Sequence, residues 1–399
     1  MSKVPKLRFK EFSGEWEEKK LSDVSTITTG STPSTVVSEY YGGEKLFVSP
    51  VDMQGNRYVK TTKTTLTLKG FEQGRKIPKN SIFFVCIGST IGKIGQAFKE
   101  CITNQQINSL TASTKNENDF IFSLLEVKAP KIRLLAGEQA VPQINKSDFS
   151  KLSFSFPDKQ EQKKIASFFS AIDSKINQLT HKKELLKEYK KGIIQKIFSQ
   201  ELRFKAEDGS QFPEWEEKIL GEITKKISIK NKDNQNLPVY SISNKHGFIP
   251  QGEQFEGVDS SSRNYDISMY KIVGKNMFAY NPARINVGSI GYSGDLENVI
   301  ISSLYVCFQT AKQINDSFFL QFLETFEFKK QVIRNTEGGV RDYLFYENFS
   351  NIKTKLPSFE EQTKIANFLS VIDTKIDFAT KQLEEVKKFK KGLLQQMFV

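Results

Sequence analysis

The sequence predicts an α+β protein: two mixed α/β domains joined by two long helices packed as an antiparallel coiled coil, with a pseudo-twofold internal repeat. Three observations predict it. Residues 157–198 return at 357–398, and without gaps 20 of the 42 aligned positions are identical. Chance gives about one in twenty, so the chain is internally duplicated. Inside each copy the apolar residues recur alternately four and three apart, the spacing of a helix that packs along one seam against another helix. The stretches ahead of the copies open alike: Leu7-Arg8-Phe9-Lys10 is echoed by Leu202-Arg203-Phe204-Lys205, and Glu15-Trp16-Glu17-Glu18-Lys19 by Glu214-Trp215-Glu216-Glu217-Lys218.

The first segment, residues 1–156, reads as short apolar runs broken by Gly, Asn, Ser and Pro, among them Leu46-Phe-Val-Ser-Pro and Ser81-Ile-Phe-Phe-Val-Cys-Ile-Gly. Such runs are strands of an α+β domain. The second segment, 157–200, is a helix opened by Pro157, with Ile165, Phe169, Ile172, Ile176, Leu179, Leu186, Ile193 and Ile197 on its seam; Lys183 and Lys190 interrupt that register. Glu161 near the start and the Lys190-Lys191 pair near the end suit the helix dipole. The third segment, 201–356, again reads as strands, including Tyr270-Lys-Ile-Val-Gly-Lys-Asn-Met-Phe-Ala-Tyr and Leu304-Tyr-Val-Cys-Phe, with a helical stretch from Asp316 to Ile333. The fourth, 357–399, is the second helix, its seam running from Ile365 to Met397 and interrupted by Lys390. At ~1.5 Å per residue each helix spans roughly 60 Å. Gly192 and Gly392 mark either a kink or the helix end.

The net charge is +12 and the pI about 9.2, which favours an anionic partner. The excess is uneven: +7 over residues 1–156, +5 over 157–199, −1 over 200–356 and +1 over 357–399. No apolar leader follows Met1, and the Ile82–Ile87 run is too short to span a bilayer, so a cytoplasmic protein with no membrane partner is expected. Cys86, Cys101, Cys307, His181 and His246 are scattered without metal-ligand spacing, so no metal site is expected.

Motifs that suggest catalysis fail on spacing. Gly88-Ser-Thr-Ile-Gly-Lys-Ile lacks the four residues of a phosphate loop before Gly-Lys, and no Ser or Thr follows the lysine. It reads as a glycine turn after a strand, from which Lys93 could still meet a DNA phosphate. Asn281-Pro282-Ala283-Arg284 lacks the second proline and the aromatic of amino-group DNA methyltransferases, and no glycine-rich S-adenosylmethionine loop accompanies it. The polar residues of the glycine-rich loops are instead candidates to contact DNA: Ser31, Thr32, Arg75, Lys76, Ser89, Thr90, Lys93, Asn104, Gln105, Arg263, Arg284, Asn286 and Arg341. Arg, Asn and Gln suit base edges because they pair bidentately with guanine or adenine.

The order of variable domain, helix, variable domain, helix resembles the specificity subunit of type I restriction-modification systems, the HsdS family. The likeness rests on P-x-x-x-E-Q-x-K-I-A and I-D-x-K-I in both helices and on E-W-E-x-K-x-L at both domain openings. Gly30-Ser-Thr-Pro-Ser, Gly88-Ser-Thr-Ile-Gly-Lys, Asn104-Gln105 and Asn286-Val-Gly-Ser-Ile-Gly291 are similar to landmarks of that family's recognition domains. The resemblance implies that residues 1–156 and 201–356 each read half of a bipartite site on double-stranded DNA. It implies that the helices set the gap between the halves and dock two methyltransferase subunits, with Glu161, Gln162, Lys164, Glu361, Gln362 and Lys364 as docking candidates. It also implies a chain with no catalysis or cofactor of its own. S-adenosylmethionine, ATP and Mg would belong to the methyltransferase and restriction (motor) subunits of the complex. Two rival readings are a stand-alone DNA methyltransferase, which would bind S-adenosylmethionine by itself, and a coiled-coil scaffold that binds only proteins, which would need no pair of divergent domains.

Overall fold

The computed structural model describes residues 4–137, 141–254, 266–336 and 343–399. The chain divides into two compact units, Met1–Lys183 with Phe378–Val399, and Glu184–Asp377. The central helix runs Lys159–Phe198 and the C-terminal helix Phe359–Met397. Each follows a proline and is capped by the next side chain: Asp158 Oδ1 accepts from Glu161 N at 2.8 Å, and Ser358 Oγ from Glu361 N at 3.3 Å. Both helices continue through Gly192 and Gly392, so neither glycine marks the helix end.

In the first unit a five-stranded sheet runs in the order Ser25–Thr29, Ile107–Ala112, Ile82–Val85, Ile94–Ala97, Tyr58–Val59, antiparallel except for the last pair. The run around Phe83 and Phe84 is apolar throughout because this strand is covered on both faces. Ile82, Phe84 and Cys86 join the core that includes the helix Asn118–Leu134, while Phe83 and Val85 join a second core with Leu46, Val48 and Ile77. A three-stranded sheet, Thr64–Leu66, Tyr41–Val48, Ile102–Thr103, lies beyond that second core, and Glu17–Lys20 pairs with Ser153–Phe156.

The second unit repeats the plan with different residues. Its first sheet runs Thr224–Ile227, Val306–Thr310, Phe278–Tyr280, Ile290–Tyr292, all antiparallel. Its second runs Gly247–Pro250, Val239–Ser243, Val299–Ile301, Lys271–Val273. Each second sheet contains one parallel pair, Val48 beside Thr103 and Tyr240 beside Ile301. Glu216–Ile219 pairs with Lys353–Leu356 as Glu17–Lys20 does with Ser153–Phe156. The expected single helix over 316–333 is two, Asp316–Leu323 and Phe326–Asn335. Thr325 breaks it, its hydroxyl donating to Phe322 O at 2.7 Å and accepting from Phe328 N at 3.1 Å, which ends one helix and caps the next. Cys86, Cys101 and Cys307 are buried free thiols, and among the described residues no helix is long and apolar enough to cross a membrane.

Candidate nucleic-acid interface

The repeated motifs meet in space within each unit. Arg8 of the first opening grips Glu161 with Nε and Nη2, both at 2.8 Å, and Arg203 of the second grips Glu361 at 3.3 and 3.0 Å. These bonds push the arginine pKa values further up. Trp215 adds a third donor to Glu361 through Nε1 at 3.0 Å, whereas the Nε1 of Trp16 has no partner among the described residues. Gln162 Oε1 accepts from Glu117 N at 3.1 Å, and its Nε2 donates to Pro157 O at 2.9 Å. Gln362 Oε1 accepts from Asn315 N at 2.8 Å, and its Nε2 donates to Pro357 O at 2.9 Å. Glu117 and Asn315 stand immediately before the helices Asn118–Leu134 and Asp316–Leu323, so each glutamine ties a long helix to a strand-rich domain.

This placement corrects the docking expectation. Glu161 and Glu361 are wholly buried and Gln162 and Gln362 nearly so, with their polar atoms committed inside the chain, so none presents a surface to another subunit. Of the six candidates only the lysines reach solvent. Lys164 lies 3.2 Å from Glu11 and over the Phe9 ring, and Lys364 donates to Lys205 O at 2.9 Å.

Several DNA candidates of the first unit form one patch at an end of the five-stranded sheet. Ser31 N donates to Thr103 O at 2.8 Å, Arg75 N to Ser31 Oγ at 3.1 Å, and Arg75 Nη1 to Thr29 O at 2.7 Å. Thr32 Oγ1 donates to Gln105 Oε1 at 2.6 Å, and Asn104 Nδ2 to Gln106 Oε1 at 2.9 Å. A Cβ on Gly30 would fall 2.0 Å from Asn104 O, so the two loops can touch only because residue 30 is glycine. Thr32, Arg75, Lys76 and Gln105 are exposed, Ser31 and Asn104 half-buried. Among the described residues neither Arg75 nor Lys76 is ion-paired, and Lys76 lies over the Phe71 ring. Ser89 and Thr90 stand on the turn between Ile82–Val85 and Ile94–Ala97, where Gly88 and Gly92 have φ of +91° and +90°. Lys93 leaves that turn to donate to Pro50 O at 3.2 Å.

In the second unit Arg284 and Asn286 are exposed on the corresponding turn, between Phe278–Tyr280 and Ile290–Tyr292. Asn281 Oδ1 accepts from Ala283 N at 3.0 Å and Ser289 Oγ donates to Ile242 O at 2.7 Å, so the Asn-Pro-Ala-Arg tetrapeptide is turn structure. Gly291 comes so close to Gly247 that a Cβ would meet its Cα at 2.9 Å. Arg263 and Arg341 lie outside the described residues.

Residues that sequence reasoning passed over complete the picture. Lys390 is nearly buried, 2.7 Å from Asp173 Oδ1 and 2.7 Å from Glu126 Oε2. Lys190 is its counterpart, 2.8 Å from Asp373 Oδ1 and 3.1 Å from Glu324 Oε2. Burial alone would lower the pKa of Lys190, but Glu324 and Asp373 outweigh it and hold the value above the ordinary lysine range. Arg57 has no arginine counterpart among the described residues. It is buried, bonds Asp173 Oδ2 from Nη1 at 3.1 Å and stacks over Phe122. Its Nη2 lies 2.6 Å from Asp119 Oδ1 but off the N–H axis, an ion pair rather than a hydrogen bond.

The family description "Type I restriction modification DNA specificity domain" matches residues 13–188 and again 213–388. The chain belongs to this family. It is 22% identical to the MjaIX type I restriction enzyme specificity subunit of Methanocaldococcus jannaschii, over all of this chain and 94% of that one. It is 33% identical to the HindI specificity subunit of Haemophilus influenzae over 43% of this chain and 40% of that one. Its fold is similar to the type I restriction-modification S subunit from M. genitalium, with a TM-score of 0.61 at 18% identity over 99% of each chain. The two matched stretches are offset by 200 residues, the offset of the helix repeat, so each carries one strand-rich domain and most of one long helix.

Proposed function

We propose that this chain is the sequence-specific DNA-binding specificity subunit of a type I restriction-modification complex. Residues 1–156 and 201–356 are the target recognition domains, each reading one half of a bipartite site, and 157–200 and 357–399 are the shared frame. The observation that carries the reading is a pair of domains whose first sheets share the order of four strands but whose surface residues are unlike, each tied by the same Arg–Glu and Gln contacts to a repeated helix. Two equivalent mounts holding two different faces suit an asymmetric, split target. In this reading the helices pair as an antiparallel coiled coil and act as a ruler for the gap.

The base and phosphate contacts come from the Ser31, Thr32, Arg75 and Gln105 patch and from the turns bearing Ser89, Thr90, Arg284 and Asn286. Two methyltransferase subunits dock on the exposed faces of the helices, where Lys164 and Lys364 remain candidates. Those subunits bring S-adenosylmethionine, and the restriction subunits bring ATP and Mg. The chain itself carries out no catalysis and works in the cytoplasm. The second segment pair, near neutral in charge, depends on local arginines and on the partner subunits for affinity. Methylome sequencing of the source organism with this gene present and deleted tests the proposal: one bipartite motif should lose its methylation. Loss of a continuous motif, or of none, refutes it.

A further inference from the structure

The seams of the long helices are apolar except at a few lysines, and two of those lysines are the nearly buried Lys190 and Lys390. We infer that Lys190 and Lys390 are alignment keys: together with Asp373 and Asp173 they select the axial register of the helix pair, and so the length of the gap between the two half-sites. This rests on the ruler reading above and goes further by naming the residues that set the ruler.

A heptad seam alone is ambiguous, because sliding one helix by seven residues again sets apolar against apolar. The lysines remove the ambiguity. Lys390 meets Asp173 in one unit and Lys190 meets Asp373 in the other. Both partners differ by 200 residues, so one antiparallel offset satisfies both. A slip of seven either way would set Lys390 against Ala166 or Thr180, and Lys190 against Ala366 or Thr380, none of which can balance a buried ammonium. Each lysine also meets a glutamate of the neighbouring recognition domain, Glu126 or Glu324, which fixes the helix end to that domain as well. Arg57 supplies a second cation to Asp173, so the first key holds a cation on each side of its aspartate.

The slip excluded in this way is roughly 10 Å, or about three base pairs of B-form DNA. The test replaces the keys with apolar residues of similar volume, a change that buried ion pairs often tolerate: Lys190→Met, Asp373→Leu, Lys390→Met and Asp173→Leu together. The variant is expressed with its methyltransferase subunits and the methylome is read. Sites whose gap is about three base pairs longer or shorter should rise from background to on the order of a tenth of the native signal. A folded variant that methylates only the native gap overturns the inference, since the domains alone would then fix the register. Should the quadruple variant fail to fold, the isosteric pair Asp173→Asn and Asp373→Asn is read in the same way. Failure of both sets to fold also overturns the inference, because the pairs would then be needed for stability and not for alignment. A wild-type protein that marks no bipartite site counts against the proposed function and not against the keys.

Discussion

Removing Arg203 is the sharpest test of how the recognition domains are mounted. In Arg203→Met the chain keeps an apolar stem but leaves Glu361, fully buried, with only the Trp215 N–H at 3.0 Å among the described residues. Breaking a buried pair from one side costs about 3–5 kcal/mol, because the remaining charge loses its partner without regaining water. Arg203 is itself 16% exposed, which places the expected cost at the lower end, about 3 kcal/mol. For a unit of this size each kcal/mol lowers the melting temperature by about 2–4 °C, so the Glu184–Asp377 unit should melt roughly 6–12 °C earlier. Scanning calorimetry reads the shift, and hydrogen exchange assigns it to that unit. The tryptophans provide an internal control. Trp215→Phe removes a donor to a buried carboxylate and should cost about 1.5–3 kcal/mol. Trp16→Phe removes an N–H that bonds nothing among the described residues, so its cost is limited to the small loss of ring packing. Equal costs for the two tryptophans, or an Arg203→Met protein that melts within about 1 °C of the wild type, would refute the account of Glu361 as a charge held by these donors.

Three further outcomes are expected. Gly30→Ala drives a methyl group against the Asn104 and Thr103 carbonyls, backbone that cannot turn aside, so it should destabilise the first unit by about 1–3 kcal/mol in thermal unfolding. Its methylation defect should be confined to one half-site. Arg284→Ala should weaken binding to duplex DNA by about 1–3 kcal/mol; a change in base preference marks a base reader, and a salt slope lower by about one marks a phosphate contact. Because the folded pKa of Lys190 lies above its unfolded value, the stability it contributes is present at neutral pH and is lost as pH rises through the folded value, above about 10.4. The urea midpoint of the Glu184–Asp377 unit should therefore fall as pH rises above about 10.4, and Lys190→Met should remove part of that fall.

Repetition made the frame legible. Arg8, Trp16 and Glu161 each return 195 to 200 residues later, and the structure brings each set together through the Arg–Glu pair. The docking role assigned to Glu161, Gln162, Glu361 and Gln362 failed because polarity was read as exposure, while their partners stand far off in sequence. The helix Asn118–Leu134 was hidden for another reason. Its run from Phe120 to Leu125 is buried all round, and a fully buried helix shows no period by which to tell it from a strand. Lys190 and Lys390 were visible as faults in the heptad, but a fault acquires meaning only when Asp373 and Asp173 are seen opposite. Arg57 stands outside the repeated motifs, so no repeat pointed to it.

The two kinds of conservation between the halves follow from two kinds of packing. A sheet needs only alternation and burial, so Phe83, Phe84 and their neighbours can give way to Phe278, Ala279 and Tyr280 while the order of four strands is kept. A buried carboxylate needs particular donors at particular distances, so Arg8 and Arg203 cannot drift. The recognition sheets are therefore free to change the loops at their ends, Gly30–Thr32 and Asn104–Gln106 in one unit and Asn281–Ser289 in the other, without disturbing the mount. If that separation holds, exchanging residues 1–156 for the corresponding segment of another family member should change one half-site, leave the other half-site and the gap intact, and succeed only when the incoming domain carries the arginine that meets Glu161.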